Sequence, residues 1–145
     1  MAVLLVRHAE AGDRDTWDGP DDLRPLTAEG DVQAEGLVAA LAAVDVTRAL
    51  SSPYVRCSQT VAPLAAARGL AVEPCEDLAE GQGRAGLALA RSLLGAPGHT
   101  VLCTHGDVVE EVLDGLGVRR EDDTRKGATW ALDEAGAQHL PPPPS

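Results

Sequence analysis

Aromatic residues are almost missing from this sequence. It contains no Phe, two Trp and one Tyr among 145 residues. Hydrophobic residues nevertheless make up 44% of the chain, which is too much for a disordered protein. A chain of this length can form one domain that buries a core without disulfides or bound metal. That core must consist of aliphatic side chains.

Positive charge is scarce too, with 12 Lys and Arg against 23 Asp and Glu and a net charge of −11. Nucleic acids and anionic membranes require a basic surface, so we expect neither as a partner. No apolar run is long enough for a membrane span, and residues 1–6 are too short for the apolar part of a signal peptide. The three cysteines, Cys57, Cys75 and Cys103, form no C-x-x-C pair, which suits free thiols in a reducing compartment. We therefore predict a soluble cytoplasmic protein.

Short apolar runs alternate with longer alanine-rich segments along the chain. The predicted strands are Val3–Val6, Arg48–Ser52, Leu70–Glu73, Thr100–Thr104 and Thr129–Asp133. The predicted helices run from Thr27, as N-cap, to about Ala43, from Tyr54 to Arg68 with Gly69 as the stop, over Gly83–Leu94 and over Val108–Leu116. This alternation predicts an α/β fold, a three-layer sandwich with a mostly parallel central sheet flanked by helices. We place the domain at residues 1–138, with residues 12–25 as a polar surface loop and 139–145 as a flexible Pro-rich tail.

Basic residues follow three of the predicted strands. Arg7 and His8 come directly after the first strand, Arg56 lies in the first turn of the helix after the second, and His105 follows the fourth. Ligands of parallel α/β sheets bind beyond the carboxyl ends of the strands, so these side chains should meet at one edge. Such a cluster repels itself unless an anion joins it, and arginine matches phosphate oxygens with two parallel hydrogen bonds. The sequence therefore predicts a phosphoryl-binding site.

A histidine among arginines can also react. Neighbouring positive charge keeps the imidazole neutral, and a neutral ring nitrogen can attack phosphorus. An ester leaving group needs a proton donor in addition. The segment after the third strand offers Glu76, Asp77 and Glu80; we select Glu80, and either of the others could serve instead. No metal or cofactor is expected, because the cysteines and histidines lack the paired short spacing of zinc ligands.

Five stretches, in order, carry a family resemblance: "LVRHAEAG", "LTAEGDVQA", "SSPYVRCSQT", "LAEG" and "CTHGD". Over about residues 2–130 the chain resembles the histidine phosphatase, or phosphoglycerate mutase-like, superfamily. The resemblance implies that His8 is the phosphorylated nucleophile, that Arg7, Arg56 and His105 form the phosphate pocket, and that Glu80 is the general acid. It implies a metal-independent phosphatase acting on phosphate monoesters, phosphoanhydrides or phosphohistidine.

Within the superfamily the sequence looks like the compact SixA-like members. It is more similar still to the histidine phosphatase domain that follows a Nudix domain in some actinobacterial hydrolases, through "DDLRPLTAEG", "THGDVV" and "KGATWALD". This implies a small phosphorylated metabolite such as a nucleoside diphosphate as substrate, with protein phosphohistidine as the other candidate, and a role for Lys126 near the site. No Nudix box occurs here, so a Nudix-type partner would have to be a separate chain.

Several alternatives remain at this point. The segment "GQGRAG", with Asp107 after the next strand, fits a dinucleotide-binding pattern, but its first glycine does not follow a strand directly. Cys57 could be read as a nucleophile beside Arg56, although inert buried thiols are commoner. His99 and His139 are expected to be exposed. A non-enzymatic phosphate-binding or phosphohistidine-carrier module would keep His8 and the arginines without needing Glu80, and a mutase would need a site less open to water.

Overall fold

The computed structural model describes residues 2–119 and 125–145. Its strands are β1 (Ala2–Arg7), β2 (Arg48–Ser51), β3 (Val72–Pro74), β4 (His99–Thr104), β5 (Thr129–Asp133) and β6 (Gly136–Leu140). Its longer helices are α1 (Ala28–Ala40), α2 (Val55–Ala67), α3 (Gly83–Leu94) and α4 (Gly106–Gly115). The five predicted strands and four predicted helices are present, with boundaries that shift by a few residues, and β6 is additional.

The strands form one sheet in the order β3-β2-β4-β1-β5-β6. β1 to β4 are parallel to one another, while β5 and β6 join as antiparallel strands. The predicted mostly parallel sheet is therefore confirmed. The register pairs Arg7 with Thr104 and Ser51 with Cys103, so β1, β2 and β4 end together at one edge.

Two aliphatic cores cover the two faces of the sheet. In β1, Val3 and Leu5 pack against residues of α3 and α4, whereas Leu4 and Val6 pack against residues of α1 and α2. Alternate strand residues point to opposite faces, so a continuous apolar strand implies helices on both sides. The structure confirms the three-layer sandwich, and a core built of Leu, Val and Ala explains how the chain folds without Phe.

Two predicted helix boundaries have their expected chemistry. The Thr27 hydroxyl accepts a hydrogen bond from the Gly30 N–H at 3.1 Å, as an N-cap should. After α2, Gly69 adopts a φ of +66°, the left-handed conformation that commonly ends a helix. The helices α1 and α2 that they bound lie on the same face of the sheet, where residues of both pack against Leu4 and Val6.

The predicted tail boundary at residue 139 falls inside β6, which runs from Gly136 to Leu140. The Asp133 carboxylate accepts hydrogen bonds from the N–H groups of Ala135 and Gly136, which closes a β5–β6 hairpin. The His139 ring lies 4.7 Å from the Trp130 ring. Farther along, Pro143 is buried. Proline has no N–H to satisfy, so this segment can pack without joining a ladder.

Two histidines expected to be exposed, His99 and His139, are half-buried at the start of β4 and in β6. Both lie in strands, which explains the difference. Within residues 2–119 and 125–145, no helix has the length and apolar character that a membrane crossing requires.

Candidate active site

The shared edge of β1, β2 and β4 gathers the predicted basic residues around one cavity. Arg7 ends β1 and His8 follows it, Arg56 lies in the first turn of α2, and His105 caps α4. The His8 N–H donates to the Thr104 carbonyl at 3.0 Å, which joins the ends of β1 and β4. The cavity has a volume of about 410 Å³ and is lined by Arg7, His8, Gly12, Asp13, Arg14, Arg24, Arg56, Glu80, His105, Gly106, Asp107 and Lys126.

His8 is only 5% exposed and is held in one tautomer. Its Nδ1 lies 2.8 Å from the Ala9 carbonyl oxygen. A carbonyl can only accept, so Nδ1 carries the proton and Nε2 of the neutral ring has a free lone pair. Burial, together with the charges of Arg56, His105 and Arg7, lowers the pKa of His8 to about 3 despite the opposing hydrogen bond to Ala9. His8 is therefore neutral at physiological pH.

His105 is buried beside His8, with 5.6 Å between the ring centroids. Its Nε2 lies 2.9 Å from the Ser52 hydroxyl and 3.6 Å from the Cys57 sulfur. Its Nδ1 is buried and has no hydrogen-bond partner among the described residues. A buried polar atom of this kind is costly unless a ligand satisfies it.

Arg56 is 1% exposed and depends on Asp21 for its partners. Its Nη1 donates to the Asp21 carbonyl at 2.8 Å, and its Nη2 donates to the Asp21 carboxylate at 3.0 Å. The Tyr54 ring lies 4.9 Å from the guanidinium carbon. Burial raises the pKa of Asp21, but Arg56, Arg24 and Arg14 outweigh burial, and the net shift is downward.

The loop at residues 12–25 contributes two arginines that the sequence analysis did not identify. Arg24 is buried, donates to the carbonyls of Ala11 and Gly12 at 2.7 and 2.9 Å, and pairs with Asp21 at 3.2 Å. Arg14 is more exposed and pairs with Asp21 at 3.4 Å. The acidic, turn-rich composition of this loop indicated only a solvated surface segment. The proximity of its two arginines in sequence to Arg7 and His8 could have identified them as candidates for the site.

Glu80, the predicted general acid, lines the cavity, and its neighbours are cationic. Its carboxylate lies 2.9 Å from Arg14 Nη2 and 3.9 Å from Arg56 Nη2. The alternatives Glu76 and Asp77 lie in a 3₁₀ turn, Glu76–Leu78, that buries Leu78 and leaves both acids exposed. Neither of them lines this cavity among the described residues.

The dinucleotide-like segment has a packing role. A Cβ on Gly83 would lie 2.6 Å from the Glu111 carboxylate, and one on Gly86 would lie 2.7 Å from Val108. These glycines let α3 approach α4 closely. Asp107 accepts a hydrogen bond from the Gly81 N–H at 2.8 Å, which holds the Glu80 loop against the start of α4.

The cysteines and the acidic and histidine side chains were also considered as metal ligands or nucleophiles in the sequence. Among residues 2–119 and 125–145, no cluster of three or more His, Cys, Asp or Glu side chains could hold a metal ion. Cys57 and Cys103 are buried and Cys75 is partly buried, all as free thiols. Cys57 contacts His105 from outside the cavity lining.

A neutral histidine among arginines at the carboxyl edge of a parallel sheet defines an α/β protein with a cavity suited to an oxyanion. Residues 3–85 match the model of the histidine phosphatase superfamily (branch 1). The chain belongs to this family, which confirms the predicted family.

Three comparisons illustrate the similarity. An 8-oxo-(d)GTP phosphatase of Mycolicibacterium smegmatis is 38% identical over 97% of this chain and 48% of its own length, so the chain spans about half of that relative. The protein histidine phosphatase SixA, solved with tungstate, superposes with a TM-score of 0.79 at 22% identity, covering 99% and 97% of the two chains. A mycobacterial glucosyl-3-phosphoglycerate phosphatase in complex with VO3 has a TM-score of 0.71 at 14% identity and covers 99% of both chains. The two structures show a shared fold.

Proposed function

We propose that this chain hydrolyses a phosphorylated small molecule, with a nucleoside diphosphate as the substrate class, through a phosphohistidine at His8. The observation that carries the proposal is the state of His8, a buried neutral imidazole whose Nδ1 is bound to Ala9 and whose Nε2 lone pair is free. A protonated histidine could not attack phosphorus.

The phosphoryl group would lie in the cavity between Arg7, Arg56 and His105. The guanidinium groups stabilise charge on its equatorial oxygens, and the buried Nδ1 of His105 gains the partner it lacks. The amide groups at the start of α4 add hydrogen-bond donors and the positive end of a helix dipole. Asp21 accepts two hydrogen bonds from Arg56 and so holds its guanidinium in position.

The reaction proceeds in two displacements. Nε2 of His8 attacks phosphorus, the bond between phosphorus and the leaving oxygen breaks, and Glu80 gives that oxygen a proton. Water then attacks the phosphohistidine, Glu80 accepts the proton of the water, and the bond from Nε2 to phosphorus breaks. Phosphate and the dephosphorylated product leave, and His8 returns to its neutral form.

Two considerations support a small phosphorylated metabolite. The relative that is 38% identical is a phosphatase of an oxidised nucleotide, and the cavity of about 410 Å³ is large enough for a phosphoryl group with part of a nucleotide. Protein phosphohistidine is the second candidate, and the open cavity mouth favours it. A carrier module would not need Glu80 in the cavity, so the position of Glu80 favours an enzyme. Pairing with a separate Nudix-type chain stays a prediction.

The experiment measures the release of inorganic phosphate by the wild-type protein and by His8→Ala, with EDTA present to remove metal ions. The substrates are p-nitrophenyl phosphate, GDP, ADP, a sugar phosphate and a phosphohistidine peptide. We expect release that survives EDTA, disappears in His8→Ala and is fastest with a nucleoside diphosphate. Fastest turnover of the peptide would replace the proposed substrate, and absence of release from every compound would favour the carrier module.

A further inference from the structure

A second cavity adjoins the first and shares two residues with it. It has a volume of about 510 Å³ and is lined by Arg7, Glu10, Gln33, Arg125, Lys126 and residues 142–145. Arg7 and Lys126 line both cavities. A substrate whose phosphoryl group occupies the first cavity can therefore extend past these two cations into the second.

The charge around the two cavities contrasts with the rest of the chain. The net charge is −11, yet six of the 12 Lys and Arg residues line one or both cavities, namely Arg7, Arg14, Arg24, Arg56, Arg125 and Lys126. Lys126 is the single lysine of the sequence. Its ammonium group lies 3.4 Å from the Glu10 carboxylate, and both side chains are about one-third exposed. An incoming anion can therefore replace the partly solvated Glu10 carboxylate as the ion-pair partner of Lys126.

The far wall of the second cavity is the C-terminal proline segment, which is held against α1. Pro143 is buried, and a Cβ on Gly36 would lie 2.6 Å from its Cβ. The Ser145 hydroxyl donates to the Glu29 carboxylate at 3.0 Å. Proline residues have restricted backbones, so this wall is stiff.

We propose that the second cavity is the leaving-group subsite, in which Lys126 binds the inner phosphate of a nucleoside diphosphate and residues 142–145 flank the remainder of the molecule. This inference rests on the proposed function. A diphosphate carries charge on its leaving group and a simple ester does not, so Lys126 distinguishes the two. Glu10 competes with the inner phosphate for Lys126.

The test measures kcat/KM for GDP and for p-nitrophenyl phosphate in Lys126→Met, Glu10→Gln and the control Arg84→Met. Arg84 is exposed on α3, away from both cavities. Loss of a charge-assisted contact should lower kcat/KM for GDP by about 10–100-fold in Lys126→Met and affect p-nitrophenyl phosphate much less. Glu10→Gln should lower the KM for GDP, since it releases Lys126. Arg84→Met should match wild type.

The two variants are expected to change GDP turnover in opposite directions. This difference separates a substrate-binding role of Lys126 from a purely structural ion pair with Glu10. If Lys126→Met and Glu10→Gln both weaken GDP turnover, or if Lys126→Met affects both substrates equally, the subsite is wrong. If GDP is hydrolysed and Lys126→Met matches Arg84→Met, the subsite fails while the proposed function stands. Turnover of p-nitrophenyl phosphate without any turnover of GDP or ADP would refute the proposed substrate class and the subsite together.

The wall has its own test. Gly36→Leu must displace Pro143, whereas Glu35→Leu changes an exposed neighbour on the same helix. We expect Gly36→Leu to raise the KM for GDP and to leave that for p-nitrophenyl phosphate close to the value of Glu35→Leu. Equal KM values for GDP in the two variants would remove the proline segment from the subsite.

Discussion

Arg56 donates to Asp21 twice, from Nη1 to the backbone carbonyl at 2.8 Å and from Nη2 to the carboxylate at 3.0 Å. The arginine comes from α2 and the aspartate from the 3₁₀ turn Asp21–Leu23 in the long loop. A buried guanidinium needs such partners because its desolvation is otherwise uncompensated. The acidic loop at residues 12–25 therefore holds Arg56, which lines the cavity, in position.

Asp21→Ala should lower kcat/KM for p-nitrophenyl phosphate by about 10–100-fold, because a misplaced arginine stabilises the transition state poorly. It should also lower the free energy of unfolding by about 1–3 kcal/mol, since Arg56 is left with one partner fewer. Steady-state kinetics and urea unfolding measure the two effects. Asp22→Ala, an exposed neighbour, is the control; equal losses in both variants would contradict a specific role for Asp21.

Local chemistry explains which parts of the fold could be predicted. The apolar run of β1, the Thr27 cap and the Gly69 stop depend on nearby residues, and all three were recognised from the sequence. β6 was missed because its residues, Gly136–Leu140, have little β-branched or aromatic content and its edge position comes from the hairpin at Asp133. The burial of Pro143 depends on Gly36, over 100 residues away.

The residues of the candidate site likewise divide into those that the local sequence predicts and those that it does not. The sequence places three of the basic residues, Arg7, His8 and His105, at strand ends, and it places Arg56 in the first turn of the helix after β2. The structure brings all four to one cavity. The partnership of Asp21 with Arg56 could not be predicted, since it joins a loop to a helix across 35 positions and depends on how the loop folds back. Sequence patterns locate residues at the ends of strands and helices, but they miss residues such as Asp21 that reach the site through the folding of a loop.

The pH dependence of stability should report the buried neutral state of His8. Its pKa is about 3 in the folded protein and near 6.5 when exposed. Between these values the unfolded chain binds a proton that the folded protein does not, so the free energy of unfolding falls as pH falls through this window. This loss should be about 2 kcal/mol smaller in His8→Asn than in wild type between pH 7 and pH 5.

Urea unfolding at the two pH values measures this difference, in buffers without phosphate. A His8→Asn protein that loses as much stability as wild type would show that His8 is not buried in its neutral form.

Glu80→Gln should slow simple alkyl phosphates more than p-nitrophenyl phosphate or a diphosphate. A carboxamide cannot supply a proton, and only the poorer leaving groups require one. We expect a loss of about 10²–10⁴-fold on the alkyl esters. Rates over a series of leaving groups measure the effect, with Glu76→Gln as control because Glu76 lies outside the cavity. Equal losses on every leaving group would count against Glu80 as the acid.

Gly106 lies against Arg7, and a Cβ at this position would be 2.8 Å from the Arg7 guanidinium carbon. Gly106 is the first residue of α4, and alanine suits a helix better than glycine. Gly106→Ala should therefore keep or raise the free energy of unfolding while it displaces the guanidinium from the cavity. We expect kcat/KM for p-nitrophenyl phosphate to fall by about 10–100-fold and inhibition by vanadate to weaken in parallel.

The control is Gly95→Ala, at the end of α3, where a Cβ would meet no atom closer than 4.0 Å. It should leave both activity and vanadate inhibition at wild-type values. If Gly106→Ala does the same, the position of Arg7 does not limit oxyanion binding, and the absence of a side chain at residue 106 is a matter of packing alone. If activity falls while stability holds, Gly106 is required because it leaves room for the arginine that faces the phosphoryl group.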